Sequence, residues 1–271
     1  MPPLASISIE LSEHVAEVRL NRPERSNAIN EPMWQDLRKV FLWADATPEV
    51  RVVILCGAGR NFCSGIDLSM LAGVEAAVDH RDPARRHEAL RRLILDLQDC
   101  LSTVERCRKP VLAAIQGACI GAGVDLVSCC DMRYAAADAQ FSVREIDLGM
   151  VADVGTLQRL PRLVADGFAR ELAYTGRNVD AAEAQRNGLV NCVFATPQAL
   201  HDSVRHLAQG IAAKSPLAIR GTKEMLNYGR DRSLADGLNY VATWNAAMLL
   251  SADLAEAMRA QREKRAPEFD N

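Results

Sequence analysis

No stretch of this sequence reaches the roughly 18 consecutive apolar residues that a membrane-spanning helix needs, and none is expected. The eight cysteines contain no C-x-x-C pair, which argues against a zinc site; they sit mostly inside apolar runs and read as small core residues of a reducing compartment. The five histidines (14, 80, 87, 201, 206) show no metal-ligand spacing and fall in polar or loop segments. The glycines of GACIGAG are not followed by the Lys-Ser/Thr pair of a phosphate-binding loop, nor by an acid in the ribose-binding frame, so a nucleotide fingerprint is excluded. Ser64 and Ser128 lack the G-x-S-x-G setting of a hydrolase nucleophile. A net charge of −3 gives no reason to expect nucleic acid as a partner. Internal repeats and low-complexity tracts are absent. The amino-terminal MPPLASISIE has no basic region followed by an apolar run, and the carboxyl-terminal APEFDN carries no peroxisomal address, so a cytoplasmic protein is expected.

What is present suffices for a substantial core: a chain of 271 residues, 49% hydrophobic, buries roughly 75% of its unfolded surface. Alternating patterns at residues 6–10 and 14–20 predict a hairpin, and a helix is expected from Pro32 to about Ala46, with Met33, Leu37, Val40, Phe41 and Ala44 on one face. Residues 51–56 read as a buried strand, followed by the glycine-containing turn NFCSGIDL. Residues 74–92, rich in arginine, read as a loop feeding a helix that runs to Arg106. The arginine cluster reads as a solvated helix face, with a phosphate or a neighbouring subunit as the other reading. Further strands are expected at 111–115, 132–136, 140–143 and 189–194. Helices follow at 124–130, 156–162, 164–174, 181–186, 197–213, 216–228 and 233–264. The fold class is α/β with a helical C-terminal region, divided at 1–200 and 201–271.

The stretch from Lys109 to Arg162 organises the rest. A strand, a turn punctuated by Gly117, Gly121 and Gly123, and a helix place unpaired N–H groups and a positive dipole end where an oxyanion would sit well. Asp125, Glu145 and Asp153 follow in mostly apolar surroundings (GAGVDLV, SVREIDLG, MVADVGTL), and carboxylates there are candidates for acid and base work. Each has a structural rival. Asp125 would be a favourable first-turn charge, Glu145 an ion-pair partner of Arg144, Arg159 or Arg162, and Asp153 a helix N-cap.

The segments NRPERSNAIN, NFCSGIDL, KPVLAAIQGACIGAGVDLVSCCDMRYAA, GTLQRLPRLV and ELAYTGRNVDAAEAQRNGLVN, in that order and over nearly the whole chain, resemble the enoyl-CoA hydratase/isomerase (crotonase) family. VREIDLGMVADVGTLQRLP together with GAGVDL is more similar to its Δ3,5 to Δ2,4 dienoyl-CoA isomerase branch than to the hydratases. The resemblance implies a spiral of ββα units with a helical trimerisation region, a homotrimer or a homohexamer of stacked trimers, and an acyl-CoA substrate of fatty acid β-oxidation. No cofactor or metal is implied, CoA being part of the substrate.

By the same resemblance, the backbone N–H groups of Ile66 and Ala122 form an oxyanion hole for the thioester enolate. The family usually has glycine where Ala122 stands, which bears on the shape of that turn. Glu145 and Asp153 match the proton-transferring pair, Asp125 a polar group that tunes them or orients a water, and Asp147 is structural. Hydratases usually carry glutamates at positions 125 and 145 and glycine at position 153. CoA is expected along Arg25, Ser26 and Ala28, along Ser64, Gly65, Ile66, Asp67 and Leu68, and at Gly123. Phe269 resembles a residue that reaches a neighbouring subunit's nucleotide site. An enoyl-CoA hydratase and a non-catalytic CoA-thioester-binding relative stay open as alternatives.

Overall fold

Alternating side chains at the amino terminus fold as expected. In the computed structural model, which describes residues 1–271, β1 (Ile7–Ser12) pairs antiparallel with β2 (Val15–Leu20). In α1 (Glu31–Ala46) the Asn30 side chain accepts the Met33 N–H at 3.1 Å and Pro32 occupies the first turn, which fixes the helix start. Its buried face is the predicted one, with Trp34 and Asp36 added. β3 (Val52–Gly57) is buried throughout, as befits a parallel strand covered on both faces.

The arginine-rich stretch is not a loop but parts of two helices, α2 (Leu68–Ala77) and α3 (Pro83–Arg106). The break between them follows from capping: the Asp82 carboxylate accepts the Ala84 N–H at 2.9 Å, and Pro83 opens the new helix. β4 (Val111–Ile115) leads into the glycine turn, which itself contains a short strand, β5 (Ala118–Ile120), before α4 (Ala122–Ser128). Next come β6 (Met132–Ala136), β7 (Gln140–Ser142) and α5 (Thr156–Arg159), the last extended by a 3-10 turn at Leu160–Arg162. After α6 (Asp166–Thr175), the two-residue β8 (Val179–Asp180) precedes α7 (Ala181–Arg186). Of the strand expected at 189–194, only β9 (Cys192–Phe194) is paired.

α8 (Pro197–Ala212) and α9 (Pro216–Gly229) match expectation. The single helix expected at 233–264 is two, α10 (Leu234–Met248) and α11 (Ala252–Glu263). Ser251 starts the second by accepting the Leu254 N–H at 3.3 Å.

The larger sheet runs β1-β2-β3-β4-β6-β9 and the smaller β5-β7-β8. Successive units thus send one strand to each sheet before turning into a helix: β4 and β5, then β6 and β7. The segment after β3 follows the same path, since Cys63 bridges Cys119 of β5 in parallel. That repetition sets the 63–66 and 119–122 turns side by side. The main core fills the space between the larger sheet and α1, α3 and α4. On the opposite face, Leu200, Val204 and Ala208 of α8 pack against Val15, Ile54 and Leu112, so residue 200 lies within a helix docked on the sheet. α10 buries no residue and exposes Leu234 and Leu238. All eight cysteines are free, seven of them buried. No helix is long and apolar enough to cross a membrane.

Candidate active site

Two neighbouring turns each present an unused backbone N–H. Gly65 has φ 105, and a Cβ there would lie 3.2 Å from the Ile120 carbonyl oxygen and 4.0 Å from the Ala122 nitrogen, so only glycine permits this approach. Gly121 has φ 51, while Ala122 stays out of the left-handed region. The strain of the turn therefore rests on Gly121, and alanine at 122 is accommodated. Neighbouring amides are spent: Gly121 donates to Ser142 O at 2.8 Å and Asp67 to Ile29 O at 3.0 Å. Ile66 and Ala122 donate to no backbone acceptor, and Ala122 opens α4, where the first N–H groups have no partner within the helix.

These two residues stand where two cavities meet. The outer one, about 500 Å³, is walled by Arg25, Ala28, the whole run from Ser64 to Leu68, and Arg144. The inner one, about 370 Å³, is largely apolar and holds all three acids, Asp125, Glu145 and Asp153. Ile66, Ala122, Glu145 and Met150 line both. Two residues expected at the CoA site are not among those lining the outer cavity. The Ser26 hydroxyl accepts from Asn61 Nδ2 at 3.0 Å, and Gly123 packs on Cys63, where a Cβ would come within 3.0 Å of the carbonyl oxygen. Phe269 lines a separate cavity among α9, α10 and α11, and its carbonyl accepts from Arg51 at 2.6 Å.

The acids form a gradient of exposure. Asp125 is fully buried, Glu145 half-buried and Asp153 exposed on the cavity side. Burial, reinforced by the charges of Glu145 and Asp153 and offset in part by hydrogen bonding from Thr156, pushes the Asp125 carboxyl up to about 7. Burial also raises Glu145 above its ordinary value, with the Asp153 charge adding to it, and raises Asp153. Oδ2 of Asp125 and Oε2 of Glu145 are buried without a hydrogen-bond partner, a costly arrangement that calls for a functional reason. No three acids, cysteines or histidines converge closely enough to hold a metal ion; the carboxylates are spread along the cavity.

The structural rivals fare unequally. Glu145 makes no ion pair, because Arg159 binds Glu105 at 3.0 Å, Arg162 binds Asp231 at 2.7 Å and Arg144 binds Asp147 at 3.3 Å. Asp147 is thereby accounted for. Asp153 caps no helix: Gly155 precedes α5 without a side-chain cap bond. Asp125 does sit in the first turn of α4, and its Oδ1 also accepts the Thr156 N–H at 2.6 Å, capping α5 from a distance.

Several residues of the site escape the sequence reading. Arg22 bonds Asp67 at 3.0 Å and the Ala28 carbonyl at 2.6 Å, fastening the 22–28 loop to the turn that carries Ile66. Asp67 in turn caps α2 through Ser69. Gln98 holds the Asp153 carbonyl at 2.5 Å. Trp34, Met70, Leu90, Leu93, Ile94 and Leu97 wall the inner cavity; the 90, 93, 94, 97 spacing is the helical signal that the surrounding arginines obscure.

Comparison with known proteins identifies the family. The profile of the enoyl-CoA hydratase/isomerase family matches residues 10–271. The peroxisomal Delta(3,5)-Delta(2,4)-dienoyl-CoA isomerase of Arabidopsis thaliana is 49% identical over 92% of this chain and 90% of that protein. The mitochondrial Delta(3,5)-Delta(2,4)-dienoyl-CoA isomerase of Homo sapiens is 44% identical over 93% of this chain and 77% of that protein. Among solved structures, an enoyl-CoA hydratase from Bacillus anthracis superposes with a TM-score of 0.89 at 32% identity, covering 98% of this chain and 99% of that one. The cytoplasmic expectation does not stand, because these isomerases are named peroxisomal and mitochondrial.

Proposed function

This chain belongs to the enoyl-CoA hydratase/isomerase family, and we propose that it is a dienoyl-CoA isomerase that shifts 3,5-dienoyl-CoA to 2,4-dienoyl-CoA. The observation that carries this reading is the junction of two cavities at two unspent N–H groups, with Glu145 and Asp153 on the wall of the inner, apolar one. CoA lies in the outer cavity along Arg25, Ala28 and Ser64 to Leu68, and the thioester carbonyl oxygen accepts from Ile66 and Ala122. One acid removes the proton from the carbon beside the thioester. The electrons move onto the carbonyl oxygen as an enolate, which the two amides stabilise; loss of one such donor in other enzymes costs about 2.7–4 kcal/mol of barrier. As the enolate collapses, both double bonds move toward the thioester and the second acid supplies a proton four carbons further out.

Asp125 transfers no proton in this scheme. It holds the start of α5, and with it the segment carrying Asp153, in place. Proton transfers alone complete the reaction, so no cofactor is required beyond the CoA of the substrate. The exposed apolar side chains of α10 and its flank, Leu234, Leu238, Leu249 and Leu250, support a homotrimer or a hexamer of trimers. Incubation with 3,5-dienoyl-CoA and with 2-enoyl-CoA tests the function: a conjugated 2,4-diene from the first supports it. A 3-hydroxyacyl product from the second as the sole reaction replaces it with the hydratase.

A further inference from the structure

Helix α2 roofs the inner cavity without burying any residue of its own. Along the same helix, between α1 and α3, lies a further cavity of about 410 Å³. Trp34, Met70, Val74, Leu93 and Leu97 line both spaces, so one layer of apolar side chains separates them. We propose that this third cavity is a distal acyl compartment, entered past Met70 and Val74 by the uncharged end of a long acyl chain, and that it sets the chain length the protein accepts. The identity of the occupant rests on the isomerase reading above.

Gly73 is the second observation. It sits in the middle of α2, where glycine is less stable than alanine, and it lines the distal cavity. No neighbour requires its small size: a Cβ at 73 would meet nothing within 4 Å, and its φ is not in the left-handed region. Gly73 is itself exposed, so the missing side chain leaves the mouth of the cavity open. The rim selects against a charged chain end, since Glu31 is unpaired and Asp96 is matched by Arg38 at 2.7 Å, leaving no free cation to receive an ω-carboxylate.

The test uses the full-length protein with a short 3,5-dienoyl-CoA and one bearing a long saturated tail. The readout is the ratio of kcat/KM, long over short. Gly73→Phe fills the distal cavity and is expected to lower that ratio on the order of tenfold, the effect of excluding about two methylenes from apolar contact. Gly73→Ala leaves the volume open and keeps the wild-type ratio, while Met70→Ala thins the wall and raises it. An unchanged ratio in both Gly73→Phe and Met70→Ala, or an equal fall for both substrates, overturns the compartment. If neither dienoyl-CoA reacts with the wild type, the isomerase reading fails separately. The dissociation constants of short and long saturated acyl-CoA for the same variants then decide the compartment by the same ratio.

Discussion

The backbone N–H of Thr156 donates to Asp125 Oδ1 across 2.6 Å, joining the helix behind one oxyanion-type turn to the segment that carries Asp153. A fully buried carboxyl thus ties two parts of the site together while its second oxygen has no partner. Such an arrangement is destabilising when the carboxyl is charged and much less so when it is protonated.

A pH-dependent stability follows. The Asp125 carboxyl is raised from an ordinary 3.8 to about 7 in the folded chain. Between those values the unfolded chain has lost the proton and the folded chain keeps it, so this group's contribution is complete below the lower value. It falls as pH rises toward the higher one and is flat beyond it. Asp125→Asn keeps the acceptor for Thr156 and removes the titration. Calorimetric melting should show the variant gaining on the wild type between pH 4 and pH 7, by up to about 4 kcal/mol. A wild type and variant that melt in parallel across that range would contradict the assignment.

Gly121→Ala should damage activity more than stability. A Cβ at that position would sit 3.1 Å from Glu145 Oε1, and the φ of 51 disfavours any side chain. The amide of the next residue and the proposed acid are disturbed together, so kcat should fall about tenfold to a thousandfold. Steady-state kinetics beside a melting curve separates the two effects, and unchanged turnover would remove Gly121 from the account.

Ala122→Gly should do little. Ala122 lies outside the left-handed region, so its N–H points as it does whether or not a Cβ is present. Turnover within about threefold of wild type and a stability loss of roughly 0.5–1 kcal/mol are expected. A large gain in kcat would mean that alanine distorts the turn.

The sequence made the scaffold legible wherever local pattern and capping agree, as in the hairpin and in α1, whose Asn30 cap and apolar stripe point the same way. The three acids were legible as well, because charge in an apolar run stands out and all three reach one cavity. What escaped was non-local. β5 is three residues long and exists through pairing with β7, which no local pattern announces. The wall from Leu90 to Leu97 is hidden by arginines that face solvent on the same helix. The break at Ser251 was available as a cap signal but was outweighed by continuous helix-forming residues on both sides. The bond between Asp125 and Thr156 spans 31 residues and belongs to tertiary structure alone.

The most direct measurement compares wild type, Glu145→Gln and Asp153→Asn in single-turnover isomerisation of 3,5-dienoyl-CoA, with acyl-CoA affinity measured on the same samples. Each variant should bind the thioester as wild type does and lose about 10²–10⁴-fold in rate, the usual contribution of a positioned acid or base. Either variant turning over near the wild-type rate would show that the carboxylate pair does not carry the protons.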